Sequence, residues 1–124
     1  MMIVHPLVSV VDDDESVRES LPDLLREFGY SAQVFSSAEE FLSSEYLDRT
    51  SCLILDVAMP GMTGPELQEE LTRRSYRIPV VFITAQGTES TRPNMLAHGA
   101  VECLSKPFSD VALLGALNLA FGVS

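Results

Sequence analysis

Four short apolar runs in this chain each lead into a polar group suited to phosphate or cation chemistry, and their order constrains the fold more than any bulk property does. Val8-Ser-Val-Val11 leads into Asp12, Asp13, Asp14 and Glu15, and Cys52-Leu-Ile-Leu55 leads into Asp56. Val80-Val-Phe-Ile83 leads into Thr84, and Val101-Glu-Cys-Leu104 into Lys106-Pro107. Runs of this length read as buried strands, and the segments between them carry helical spacing, which predicts βα units and a parallel sheet. Five such units fit. In an open parallel α/β sheet, ligands bind beyond the carboxyl ends of the strands, so three carboxylates, a hydroxyl and an ammonium are expected to share one pocket.

Size agrees with that reading, because 124 residues with 46% apolar content make one domain with one sizeable core. Eighteen acidic against eight basic residues give a formal net charge of −10. Such a charge repels nucleic acid and anionic membrane and favours a cationic partner or a bound cation. The apolar stretches are strand-sized, far below the ~20 residues of a membrane helix. The N-terminus has no charged region before a long apolar one. A cytoplasmic protein with no membrane contact and no direct nucleic-acid binding is expected. Cys52 and Cys103 lie inside apolar runs and are expected to be buried free thiols.

Between the strands, Ser16 to Phe28 places Val17, Leu21, Leu24, Leu25 and Phe28 on one helical face, with Gly29 as the residue that ends the helix. Pro22 inside it is expected to remove one backbone bond and bend the helix. After a second strand, Ser31 to Phe35, Ser37-Ala-Glu-Glu40 reads as a capping box. Thr63-Gly-Pro-Glu66 opens a third helix, with Arg73 and Arg74 at its C-terminal dipole end. Pro93 falls where a fourth helix, Gly87 to His98, is already running, which predicts a shortened, kinked or mobile element. The last helix, Asp110 to about Phe121, has an apolar stripe wider than a solvent-facing helix requires, so a covering partner is expected. His5 and His98 lack a neighbouring acid or base and are expected at the surface or at helix ends.

Clustered carboxylates stay ionised together only if a cation or hydrogen bonds compensate. Oxygen-only ligands select a hard ion, and Mg²⁺ fits best because it uses one or two carboxylates and leaves positions for phosphate oxygens. A carboxylate beside Mg²⁺ can attack phosphorus to form an aspartyl phosphate, with a lysine and a hydroxyl holding the phosphoryl oxygens. Each group alone has a plainer reading: helix caps for the acidic run and for Asp56, a backbone-bonded hydroxyl for Thr84, a solvated charge for Lys106. The joint pattern is what points to chemistry.

These residues resemble the receiver domain of two-component response regulators. Val10-Val-Asp-Asp-Asp-Glu-Ser-Val-Arg18, Leu55-Asp-Val-Ala-Met-Pro-Gly-Met-Thr-Gly64, Ile83-Thr-Ala85 and Lys106-Pro-Phe108 are similar to its successive signature segments, and the likeness covers the whole chain. Phe35-Ser-Ser-Ala-Glu-Glu-Phe-Leu42 further resembles receivers of LuxR/FixJ-type transcription regulators. The resemblance implies a (βα)5 flavodoxin-like fold, a five-stranded parallel sheet with helices on both faces, over residues 1–124 as a single receiver domain; any output domain would lie beyond residue 124. It implies Asp56 as phosphoacceptor, with Mg²⁺ held by Asp12, Asp13, Asp56 and the backbone carbonyl of Ala58, and Thr84 and Lys106 contacting the phosphoryl group. Asp14 is expected to stay outside the ligand set and tune the field of the site.

The implied partners are a sensor histidine kinase and an output domain or effector, with a homodimer through the face from the fourth to the fifth helix. The implied function is phosphorelay signalling in transcription regulation, with no enzyme activity beyond self-phosphorylation and autodephosphorylation. Thr84 and Cys103 are the expected switch positions. Cys103 stands where the family carries an aromatic residue, so intact phosphorylation chemistry with a weakened or differently built response is expected. Ala58 and Gln86 occupy places that influence phosphoryl lifetime in the family. Two alternatives remain at this point: a degenerate receiver acting as a constitutive interaction module, and a Mg²⁺-dependent phosphohydrolase. The second lacks an acid at Ala58 to protonate a leaving group.

Overall fold

In the computed structural model, which describes residues 5–85 and 91–122, the apolar runs form the strands β1 (Leu7–Val11), β2 (Ser31–Phe35), β3 (Thr50–Asp56), β4 (Val80–Thr84) and β5 (Glu102–Ser105). They make one parallel sheet in the order β2-β1-β3-β4-β5. Between them run α1 (Glu15–Glu27), α2 (Ala38–Leu42), α3 (Gly64–Arg73) and α4 (Thr91–Ala97), with a short 3₁₀ turn at Leu47–Arg49, and α5 (Asp110–Ala120) follows β5.

The central strands β1, β3 and β4 read as largely apolar runs because both faces of the sheet are covered, whereas the edge strand β2 is only partly buried. Leu53, Leu55, Phe82 and Cys103 pack in one core with Phe41 of α2, Leu67 of α3 and Met95 of α4. Val10, Ile54, Val81 and Ile83 pack in a second with Leu21 and Leu25 of α1 and Leu113 and Leu117 of α5. Cys52 and Cys103 are buried free thiols, as expected.

The ends of α1 follow local chemistry. Asp14 caps its start, accepting from the Ser16 amide at 3.0 Å. Gly29, at φ +94°, closes it: its amide donates to the Arg26 carbonyl, and the Tyr30 amide reaches the Leu25 carbonyl. The helix continues through Pro22, whose missing N–H leaves the Arg18 carbonyl without its helical donor. The expected box at Ser37 forms by half. Ser37 caps the Glu40 amide, but the Glu40 carboxylate bonds Ser36 instead of the Ser37 amide. The box at Thr63 and Glu66 is complete in both directions. Arg73 and Arg74 sit at the end of α3 as expected and both bind Glu70, whose carboxyl is held down at about 2 mainly by the hydrogen bond from Arg73.

The described part of the fourth helix is short and continues past Pro93, running from Thr91 to Ala97. The first part of the expected element, from Gly87, lies outside the described residues. Both histidines lie where expected: His5 Nδ1 is 2.9 Å from the Gly29 carbonyl, and His98 Nδ1 is 2.7 Å from the Asn94 carbonyl at the end of α4.

Candidate functional site

Strand register assembles the site. β1 lies between β2 and β3, so the chain order reverses at the β1–β3 boundary, where a parallel α/β sheet opens a crevice at its carboxyl end. The β1–β3 ladder shifts by one residue between Leu7 and Val8, and from Val8 onward it pairs Val11 with Leu55. Asp12 and Asp56 therefore sit side by side at the strand ends. On the other side, β4 pairs Thr84 with Ser105, which brings Lys106 next to the Thr84 end, and the Lys106 amide donates to the Thr84 carbonyl at 2.8 Å.

Asp12 and Asp56 are buried and Asp13 is exposed, and one carboxylate oxygen from each lies within 4.8 Å of the other two. Asp12 is the most constrained. Its Oδ1 accepts the Asp14 amide at 2.8 Å, and Lys106 Nζ lies 2.8 Å from its Oδ2. That ion pair lacks hydrogen-bond geometry, so the buried Oδ2 accepts no hydrogen bond among the described residues.

Three carboxylates against one ammonium leave an excess of two negative charges if all ionise. The strain appears at Asp56, whose carboxyl is pushed up from 3.8 to about 7 by burial and then by the charge of Asp12, with Lys106 acting in the opposite direction. Burial pulls Lys106 down, but Asp12 and Asp56 more than offset it and its pKa is raised. A divalent cation would supply the missing charge, and the three converging carboxylates offer only hard oxygen donors, so the residues present fit a hard metal ion such as Mg²⁺.

Asp14 is held out of this group. Its Oδ1 accepts from both the amide and the hydroxyl of Ser16, and these bonds keep its carboxyl below the usual range. Ala58 lies exposed two residues past Asp56. The β3–α3 loop folds back so closely at Gly64 that a Cβ there would lie 2.3 Å from the Asp56 carbonyl oxygen. Thr84 is buried at the end of β4, and Cys103 lies two residues before its partner Ser105, opposite Phe82 in the first core. Gln86 lies outside the described residues. One supporting residue was not foreseen: Arg18 donates from Nη1 to the Asp12 carbonyl at 2.9 Å and ties α1 to the end of β1. A contact six residues apart across a loop matches neither helical nor strand periodicity.

Comparison with known proteins agrees with this geometry. The family model described as "Response regulator receiver domain" matches residues 8–118. The chain is 46% identical over 114 residues to Nodulation protein W of Bradyrhizobium diazoefficiens, covering 92% of this chain and 50% of that protein. It is 39% identical over 118 residues to the transcriptional regulatory protein FixJ of Azorhizobium caulinodans, covering 94% of this chain and 56% of that one. The solved structure of the response regulator StyR superposes with a TM-score of 0.85 at 46% identity, over 96% of this chain and 60% of that chain. The chain thus spans about half the length of the curated relatives it matches. Receivers of this family are in general non-enzymatic signalling domains that use Mg²⁺, pair with sensor kinases and carry signals to output domains. The match over nearly the whole chain, on a sheet whose strand ends gather these carboxylates, shows that this chain belongs to the response regulator receiver domain family.

Proposed function

We propose that this chain accepts a phosphoryl group on Asp56 from the phosphohistidine of a sensor kinase, and that this changes its contacts with a transcriptional output domain or effector. The observation that carries the reading is the convergence of Asp12, Asp13 and Asp56 within 4.8 Å, with Lys106 bound to Asp12. A carboxylate oxygen of Asp56 forms a bond to phosphorus as the bond from phosphorus to the donor imidazole nitrogen breaks. The imidazole leaves with the bonding pair, and the product is an acyl phosphate.

Attack requires the ionised carboxylate, whereas burial and Asp12 hold Asp56 partly protonated near neutral pH. Asp12, Asp13, Asp56 and the Ala58 carbonyl are the residues that would hold Mg²⁺, which when bound favours the ionised form and offsets phosphoryl charge. Lys106 and Thr84 are assigned to the phosphoryl oxygens, and Asp12 holds the ammonium in place before the donor arrives. Ala58 supplies no acid for a leaving alcohol, which disfavours a phosphohydrolase.

A groove of about 790 Å³ beside the site runs between α1 and the segment that begins at Lys106. Val17, Leu21, Leu24 and Phe108 line it, with the acidic residues Asp23 and Glu27 among its neighbours. A donor must reach Asp56 from beside the site, so this groove suits a partner helix with apolar and basic side chains. On the opposite side of α5, Val111 is 80% and Leu119 61% exposed, which supports a contact with a second copy or an output domain. Residues 1–124 are taken as one receiver unit of a cytoplasmic regulator, with the output in the remaining length that the relatives possess.

Incubation with acetyl phosphate, with and without Mg²⁺, followed by intact mass, tests the reading. A Mg²⁺-dependent adduct of one phosphoryl group is expected on the wild type and not on Asp56→Asn. An adduct of equal yield on both proteins would remove Asp56 from the role.

A further inference from the structure

The chain leaving β1 is tied down around Asp12. The Asp12 amide donates to the Phe35 carbonyl at the end of β2 at 3.1 Å, and Asp12 Oδ1 accepts the Asp14 amide at 2.8 Å. Arg18, the fourth residue of α1, adds a further tie: its Nη1 donates to the Asp12 carbonyl at 2.9 Å. Of these bonds, the one from Arg18 acts on the peptide that joins Asp12 to Asp13. That peptide is planar, so holding its carbonyl holds the plane from which the Asp13 backbone departs.

Asp13 is the carboxylate with most need of such a tie. Asp12 and Asp56 are buried at packed strand ends, whereas Asp13 is exposed, yet its oxygen lies within 4.8 Å of theirs. An exposed side chain keeps that place only if its backbone is aimed there. Arg18 is also half-buried, in a chain of net charge −10. Among the described residues no carboxylate pairs with it, and its side chain bonds a neutral carbonyl instead.

We propose that Arg18 is a positioning residue for the cation: it sets the Asp12–Asp13 peptide so that the Asp13 carboxylate meets those of Asp12 and Asp56 around a divalent ion. The proposal rests on the reading of these three residues as a metal site. The sign of the effect decides it. Through space a guanidinium repels a cation, so removing its charge would tighten binding. Through the peptide it holds a ligand residue in place, so removing the bond weakens binding, by about tenfold for an outer partner of a metal ligand. A brace that only joins α1 to β1 would do neither.

Mg²⁺ alone is titrated by calorimetry and amide NMR into the wild type, Arg18→Met, Arg18→Lys, Asp13→Ala and the double variant Asp13→Ala/Arg18→Met. Urea unfolding of the metal-free proteins measures stability separately. Methionine keeps an unbranched stem and removes the donors, and lysine restores a charged donor. Arg18→Gln, whose shorter side chain does not reach the carbonyl, repeats the deletion if the methionine variant does not fold. Mg²⁺ affinity is expected to fall about tenfold in Arg18→Met, to lie between that value and wild type in Arg18→Lys, and to fall little further when Arg18→Met is added to Asp13→Ala. A lowered urea midpoint with unchanged Mg²⁺ affinity would make Arg18 a structural brace and overturn the proposal. Tighter Mg²⁺ binding would overturn it in favour of the through-space effect, and a full further loss in the Asp13→Ala background would show that Arg18 does not act through Asp13. A wild type that binds no Mg²⁺ would overturn the metal site itself, whereas unchanged affinity in the Arg18 variants leaves that reading standing.

Discussion

Ser75 shows how a single position carries strain that composition hides. It ends α3 as Gly29 ends α1: its amide donates to the Thr72 carbonyl, and the Tyr76 amide reaches the Leu71 carbonyl. Its φ is +67°, the left-handed region that glycine enters freely and serine does not. Ser75→Gly is therefore expected to stabilise the fold by about 0.5–1 kcal/mol, since relief of the strain exceeds the added freedom of the unfolded chain. The midpoint of urea unfolding should rise with an unchanged slope. Residue chemistry also made the core of the site legible, because Asp12, Asp13, Asp56, Thr84 and Lys106 each follow an apolar run. Asp14 shares that acidic run, yet its carboxylate serves the start of α1. Adjacent aspartates look equivalent in a sequence, and only the direction of the chain as it leaves β1 separates them.

Elements were legible where caps and periodicity agreed and less so where a local rule depended on a boundary. Pro93 illustrates this: inside a helix it is expected to break or kink the element, yet the described part of α4 continues past it to Ala97. α5 has the opposite character. It combines a local start signal, Ser109 accepting from the Ala112 amide at 3.0 Å, with apolar residues on both its inner and outer sides. Leu113 and Leu117 enter the core, while Val111 and Leu119 remain exposed. Ser109→Ala is expected to destabilise the protein by about 1 kcal/mol, because the first amides of an exposed helix start lose a partner. Thermal unfolding should show that loss, and Ser109→Asp should recover it.

At the scale of the whole molecule, the gathered carboxylates are a source of instability that a bound cation is expected to relieve. Asp56 titrates at about 7 in the fold against an ordinary 3.8, chiefly because it is buried. A carboxyl raised in this way keeps its proton in the folded state after the unfolded chain has released it. From about pH 4 to about pH 7 the folded chain binds more protons, so stability falls as pH rises across that window, by up to a few kcal/mol. Metal-free protein should show that fall, and Asp56→Asn should flatten it. At neutral pH, millimolar Mg²⁺ should raise the melting temperature by binding the folded state, and should raise it much less in Asp13→Ala. Equal Mg²⁺ shifts in the two proteins would count against Asp13 as a ligand.

The order of strands and helices, the doubly covered sheet and the identities of the charged groups at the strand ends were all readable from the chain, because hydrophobic period and cap chemistry act over a few residues. Distances between groups were not. The one-residue shift in the β1–β3 ladder puts Asp12 beside Asp56, the fold-back at Gly64 closes the loop against the Asp56 carbonyl, and Arg18 clamps the end of β1. The buried bond between Ser9 and Thr50, 2.7 Å long, joins β1 to β3 in the same way. The Arg92–Glu102 ion pair and the raised pKa of Asp56 belong with these. Each depends on which strands lie side by side and on how much water they exclude, and those properties arise only when distant segments pack.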